Sequence, residues 1–285
     1  MASTAALEAT HDRLTRAVEA LTTGEDWRAM LEVVRRFHTY SANNVLLITA
    51  QRPDATRVAS YGTWKRLGRY VRKGERGIAI LAPVVARLAA DKELQAAGEV
   101  EEERVVLRGF RVVYVFDVAQ TDGAPLPEVA PAALSGSAPA AVFDALASVL
   151  EASGYHLLRA DCRPANGRTH FLTRTVVVRP DLSPAQALKT LVHEIAHTRL
   201  HDGSEYGAGC RDVVEVEAES VAYLVCTAVG LPTDAYSFPY VARWADGDVE
   251  LVRRTATRVV SCARQVLEAI GVDTGAGALV AAEQH

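Results

Sequence analysis

One helical segment, from Ser183 to Leu200, constrains this chain more than any other stretch. Ser183 is a capping residue, Pro184 stands at the first helical position, and nothing from Ala185 to Leu200 breaks the helix. Inside it His193-Glu194-Ile195-Ala196-His197 spells HExxH. Histidines four apart project from one helical face, so both imidazoles can hold one Zn²⁺ while Glu194 faces a bound water. Leu188, Leu191, Val192, Ile195 and Ala196 form an apolar stripe. The fold must therefore place a core behind this helix and keep its histidine face open.

A catalytic zinc takes three protein ligands and keeps a fourth position for water. A second helical stretch, Asp212 to Val229, carries Glu215-Val216-Glu217-Ala218-Glu219, in which Glu215 and Glu219 share a face. This pattern resembles the ExxA(D/E/N) second half of the gluzincin-like metallopeptidases. The resemblance implies that Glu215 is the third ligand and that Glu219 holds a ligand histidine in its ring orientation. His201 and Glu217 are rival ligands with weaker placement: a straight helix separates His193 from His201 by about 12 Å, and Glu217 points away from the Glu215 face. A metzincin would have its third histidine where Gly203 stands. The competing reading makes these acids a solvated helix face. On the zinc reading Glu194 is the general base for attack of water on a peptide carbonyl. Tyr240, in Tyr236-Ser237-Phe238-Pro239-Tyr240, is a candidate oxyanion donor, with packing against the proline turn as its other role. His38, His156 and His170 lie outside any ligand spacing.

The formal net charge of −4 conceals an uneven distribution. From Arg28 to Arg87 there are 12 Lys and Arg against 3 Asp and Glu, a local charge of +9, and the remaining residues carry −13. Trp27, Phe37, Tyr40, Tyr61, Trp64 and Tyr70 are interleaved with these basic residues. Positive charge follows phosphates and aromatic faces stack on bases, so the segment fits single-stranded DNA without sequence preference. The alternative places the aromatics in the core and the charges on a solvated face.

The run Tyr40-Ser41-Ala42-Asn43-Asn44-Val45-Leu46-Leu47-Ile48, with Gln51-Arg52-Pro53-Asp54-Ala55-Thr56, Tyr61-Gly62-Thr63-Trp64, Gly68-Arg69 and Val71-Arg72-Lys73-Gly74, resembles the N-terminal domain of the ArdC-like antirestriction proteins. The likeness continues through Gly77 to Pro83 and Val115 to Thr121, and covers roughly residues 24 to 126. It implies a single-stranded DNA-binding domain joined to a zinc metallopeptidase-like domain, in a family that protects incoming DNA. Tyr40, Asn44, Arg52, Trp64, Arg69, Arg72 and Lys73 are the expected DNA contacts, Tyr40 and Asn44 with a structural role as the alternative. With 17 residues between His197 and Glu215, the second half also resembles peptidases of the ImmA/IrrE type, which implies a regulatory protease.

The expected fold class is α+β in two domains. A mixed α/β DNA-binding domain occupies 1–126, a Pro, Ala and Ser-rich linker 127–139, and a mainly helical zincin-like domain with a small sheet 140–285. Helices are expected over Ala5 to Leu21 and Trp27 to Phe37, with Ser41 and Ser60 capping short ones, and strands over Gly77 to Val85 and Val105 to Phe116. Ala89 to Glu103 fits either a helical or a hairpin insertion. The second half is expected as a helix (Ala140 to Ala152), strands (Tyr155 to Arg159 and His170 to Val178), the two metal-site helices and a last helix from Val249 to Ile270. No apolar run approaches 18 residues and no signal sequence opens the chain, so a cytoplasmic location without membrane contact is expected. Cys162, Cys210, Cys226 and Cys262 lack CxxC spacing and read as reduced, mostly buried thiols. Three functions fit: a DNA-binding zinc metallopeptidase with an unidentified protein substrate, a DNA-binding protein with a non-catalytic zinc site, and a regulatory protease whose basic domain binds a protein.

Overall fold

The structure, a computed structural model, describes residues 4–37, 39–88, 104–126, 139–204, 211–231 and 247–272, with Phe238 and Ala245. Its elements in order are α1 (Thr4–Glu19), α2 (Gly24–Arg36), α3 (Ala42–Gln51), β1 (Val58–Ser60), α4 (Tyr61–Arg66), β2 (Arg69–Val71), β3 (Ile78–Leu88), β4 (Arg104–Asp117), a 3₁₀ turn (Val118–Gln120) and β5 (Thr121–Gly123). There follow α5 (Pro139–Ala152), β6 (His156–Arg159), β7 (Gly167–His170), β8 (Thr175–Val178), α6 (Pro184–Leu200), α7 (Arg211–Ala228) and α8 (Val249–Ala269). This is the expected mixed α+β composition. The expected insertion at Ala89 to Glu103 and most of the linker lie outside the described residues. No helix among the described residues is long and apolar enough to cross a membrane.

The chain divides into two compact units, Met1–Thr15 with Leu47–Gly123, and Arg16–Leu46 with Ala124–His285. In the first, β1, β4 and β3 form an antiparallel sheet in that order, and β2 pairs with β5. β3 follows β4 from Ile78 opposite Val115 to Leu88 opposite Arg104, with one irregularity between Val84 and Val85. At the outer edge of β3 the Gln51 side chain satisfies both backbone groups of Ala79: its Nε2 donates to the carbonyl at 2.9 Å and its Oε1 accepts the N–H at 2.9 Å. A side-chain amide thus stands in for a neighbouring strand.

The Val115 to Thr121 motif is a structural latch. Asp117 is buried and its carboxylate accepts the backbone N–H groups of Thr56 (2.7 Å), Arg57 (3.0 Å) and Ala119 (2.9 Å). Gln120 closes the turn, accepting the Asp117 N–H and donating to Glu75 and to the Arg76 carbonyl. Ser60 caps α4 through the Thr63 N–H, as expected of its position.

In the second unit β8 lies between β6, parallel to it, and β7, antiparallel. The single strand expected over His170 to Val178 is instead a hairpin. Gly167 to His170 pairs back onto Thr175 to Val178, and the chain reverses through Phe171 to Arg174, where Arg174 takes a left-handed φ of 47° and Leu172 points wholly into solvent. The antiparallel pairing of β7 with β8 gives both segments backbone hydrogen-bond partners that one long strand would have lacked. The Ser183 cap holds the Gln186 N–H and Pro184 opens α6. Leu188, Leu191, Val192, Ile195 and Ala196 are all fully buried, so the apolar stripe packs as its spacing requires. Helix α2 also belongs to this unit: its Trp27 is buried and donates its indole N–H to Ser220 Oγ on α7 at 2.8 Å. Cys226 and Cys262 are buried and Cys162 half-buried, all three as free thiols, while Cys210 lies outside the described residues.

Candidate metal centre

Two helices and one strand build the site. His193 and His197 stand one turn apart on α6, and their Nε2 atoms converge to 3.0 Å. Glu215, near the start of α7, brings Oε2 to 3.5 Å from His193 Nε2 and 4.0 Å from His197 Nε2. Bonds of about 2 Å to a tetrahedral zinc separate ligand atoms by about 3.3 Å. These three donors, the combination expected from the sequence, therefore bracket the spacing that one small divalent cation requires.

Each of the two histidines is held from behind. His193 Nδ1 lies 3.3 Å from Glu219 Oε2, and the other oxygen of Glu219 accepts from Lys189 Nζ at 2.7 Å. Glu219 thus contacts the ring nitrogen of His193 that is turned away from His197. His197 is held by a different arm. Its Nδ1 lies 3.1 Å from His201 Nδ1, His201 Nε2 lies 2.9 Å from Glu217 Oε2, and Arg258 of α8 pairs with the other Glu217 oxygen at 3.0 Å. A cation held by His197 Nε2 would leave its Nδ1–H to donate to His201, whose Nε2–H would then donate to Glu217. His201 and Glu217, the weaker rivals for third ligand, are buried and stand in line behind His197. Their signal in the sequence was position: His201 is one turn beyond His197, and Glu217 faces the opposite side from Glu215.

Glu194 lies beside the ligands with its carboxylate toward β7. Thr169 Oγ1 donates to Glu194 Oε2 at 2.7 Å, a contact the sequence reading did not anticipate. Burial pushes the Glu194 carboxyl above the usual carboxylate range, opposed by the positive charge of His193. His193 and His197 share one proton unequally. Burial pulls His193 down, yet the hydrogen bonds to Glu215 and Glu219 carry it up to about 9. Burial and then the charge on His193 push His197 down to about 3. The donors open into a cleft of about 490 Å³ whose walls include Asn166, Gly167, Gln186, Lys189 and Thr190. Tyr240 lies outside the described residues.

The expected DNA contacts divide between the two units. Tyr40 and Asn44 fall in the second unit, where the Tyr40 carbonyl accepts from Arg264 at 3.0 Å and Asn44 is buried. Arg52, Trp64, Arg69, Arg72 and Lys73 fall in the first. Trp64 must be corrected: it is buried and its indole N–H donates to the Phe116 carbonyl at 2.8 Å, so its ring faces are packed and have no room for a base. Arg69 donates to Thr121 Oγ1 (2.8 Å) and the Thr121 carbonyl (2.9 Å), bracing β5. Arg72 pairs with Glu75 at 2.7 Å and Asp122 at 3.4 Å, and Arg52 with Asp54 at 3.6 Å. Lys73 is exposed in the turn after β2.

Residues 5–116 match the family described as the N-terminal domain of anti-restriction factor ArdC, and residues 150–236 match peptidase family M78, described as an IrrE N-terminal-like domain. An uncharacterized protein of Bacillus anthracis, pXO2-81, is 24% identical over 282 residues, covering 86% of this chain. The chain spans 48% of that curated relative's length. The metal-free crystal structure of the antirestriction ArdC protein from R388 plasmid is 21% identical with a TM-score of 0.49, covering 81% of this chain and 85% of that one. The Mn(II)-bound structure of the same protein is 21% identical with a TM-score of 0.48, covering 85% and 97%.

Proposed function

We propose that this chain, an ArdC-like protein joining an ArdC-type N-terminal domain to an IrrE-type peptidase domain, is a zinc-dependent peptidase whose basic N-terminal domain holds single-stranded DNA. The carrying observation is the convergence of His193 Nε2, His197 Nε2 and Glu215 Oε2, with Glu194 beside them. Two neutral imidazoles and one carboxylate are a zinc donor set, so zinc is the proposed cofactor. When bound, the ion supplies a Lewis acid and a water of lowered pKa.

The protein's own groups carry the proton traffic. Glu194, its basicity raised by burial and its position fixed by Thr169, takes the proton of the attacking water. The water oxygen bonds to the peptide carbonyl carbon, the C–N bond breaks, and Glu194 returns the proton to the departing amine. β7 is the outer strand of its sheet and borders the cleft through Gly167, Arg168 and Thr169. An extended peptide can add to such an edge through backbone hydrogen bonds, which suits a protein substrate. Tyr240 is the proposed oxyanion donor, on the sequence pattern alone.

The proposed division of labour keeps the DNA-binding module at 1–126, the linker at 127–139 and the peptidase at 140–285, acting in the cytoplasm. The basic stretch, +9 between Arg28 and Arg87, supports the nucleic-acid partner. Zinc analysis of wild type, His193→Ala and Glu215→Ala, together with cleavage of fluorescently labelled casein by wild type and Glu194→Gln, tests the peptidase. About one zinc per chain, lost in the two ligand variants, and casein cleavage abolished in a zinc-loaded Glu194→Gln are expected. No zinc after reconstitution, or cleavage indifferent to Glu194, overturns the reading.

A further inference from the structure

The first unit displays an aromatic strip outside the set of expected DNA contacts. Phe110, Val112, Tyr114 and Phe116 alternate onto one face of β4. Tyr61, at the start of α4, stands edge-on to Phe116, with ring centroids 6.5 Å apart. The strip is accommodated by Gly77: a Cβ there would lie 2.9 Å from Tyr114 Cβ and 3.1 Å from Phe116 Cζ, so any larger residue would lift the rings off the chain. Tyr61, Tyr114 and Phe110 are nonetheless open to solvent, 56%, 53% and 46% exposed.

Exposed aromatics scattered singly call for no explanation, but three on one strip do. Their surroundings select the partner. Residues 47–88 and 104–123 carry 12 Lys and Arg against 4 Asp and Glu, and one of those acids, Asp117, is buried in the latch. Exposed Arg108 stands two residues before Phe110 in sequence, and exposed Lys65 lies one helical turn from Tyr61. Phe110 and Tyr114, four apart on β4, stand about 13 Å apart along the strand, roughly four times the 3.4 Å step between stacked bases. Bases laid over this strip are therefore pulled apart from each other, which a single strand permits and a duplex does not.

We propose that Tyr61, Tyr114 and Phe110 form the base-stacking platform for single-stranded DNA, the role that buried Trp64 cannot fill. The inference rests on the reading of a DNA partner given above. Stacking is sequence-tolerant because every base has a π-face, and phosphates are held by the basic residues around the strip.

The test is fluorescence anisotropy of an oligo-dT of about 20 nucleotides with the full chain, across a salt series. Tyr114→Ala and Phe110→Ala are each expected to weaken binding by about fivefold or more. The slope of log affinity against log salt stays unchanged, because no charge is removed. Tyr114→Phe keeps the ring and is expected to bind like wild type, which separates stacking from loss of fold. Wild-type affinity in both alanine variants overturns the platform while leaving the DNA reading intact. No binding of the oligonucleotide by wild type at low salt overturns the DNA reading and the platform with it.

Discussion

Gly167 lies directly against Glu194. A Cβ at position 167 would fall 2.7 Å from Glu194 Oε1 and 2.5 Å from Thr190 Cγ2, closer than real side chains approach. Thr190 is buried on α6, so it and Glu194 are both hemmed in beside position 167. The strain therefore falls on the Glu194 carboxylate as well as on the Thr190 methyl group. Gly167→Ala is expected to keep zinc binding and to lower turnover by about tenfold or more, since a displaced base forfeits part of the roughly 10²–10⁴-fold that positioned proton transfer supplies. Zinc stoichiometry beside steady-state cleavage of labelled casein checks it; unchanged turnover would mean that Glu194 is not held by this contact.

Metal binding is expected to depend on pH through His193. In the metal-free protein its pKa is raised to about 9, so below that value the imidazole carries a proton that the metal must displace. Affinity therefore rises with pH, by about tenfold per unit, and levels off as pH passes about 9. His197 is pushed down to about 3, so it is neutral throughout this range and adds nothing to the slope. Calorimetry at pH 7 in buffers of different ionisation enthalpy should return about one proton released per metal from this pair. Zero protons released would contradict the charge state assigned to His193.

His201 stands behind His197 and outside the three-donor cluster. His201→Phe removes the acceptor for the His197 Nδ1–H and leaves Glu217 facing Arg258 alone in a buried place. Loss of such a supporting partner costs about 10–100-fold in metal affinity. His201→Gln, which can still hydrogen-bond, is expected to recover part of it. Competition with a chromophoric chelator measures both variants. A His201→Phe protein that holds zinc as tightly as wild type would show the arm to be mere packing.

What the sequence revealed follows the strength of local signals. α6 was legible because Ser183, Pro184, an apolar period and the His193 to His197 spacing all report on one helix. The Glu215 and Glu219 face was legible for the same reason. The hairpin from Gly167 to Val178 was not: Arg168 and Thr169 show no apolar alternation, and their strand exists because it pairs with β8. Burial was equally hidden. Trp64 and Tyr114 both stand near basic residues, yet one is in the core and the other on the surface, and only the sheet decides which. Arg69 read as a phosphate ligand because its partners Thr121 and Gly123 lie more than fifty residues away.

Trp64 is consequently expected to act on stability. Its ring is buried and its indole N–H satisfies the Phe116 carbonyl. Trp64→Phe would remove one hydrogen bond to that carbonyl, at a cost of about 0.5–1.5 kcal/mol, and Trp64→Ala would add a cavity, for about 3–5 kcal/mol in all. Chemical denaturation followed by circular dichroism reads both changes. At temperatures where Trp64→Phe remains folded, its affinity for oligo-dT should match wild type, because the phenyl ring stays in the core and the surface strip is untouched. A selective loss of DNA affinity in a stably folded Trp64→Phe protein would place a base against Trp64 after all, and would require the α4 segment to open when DNA binds.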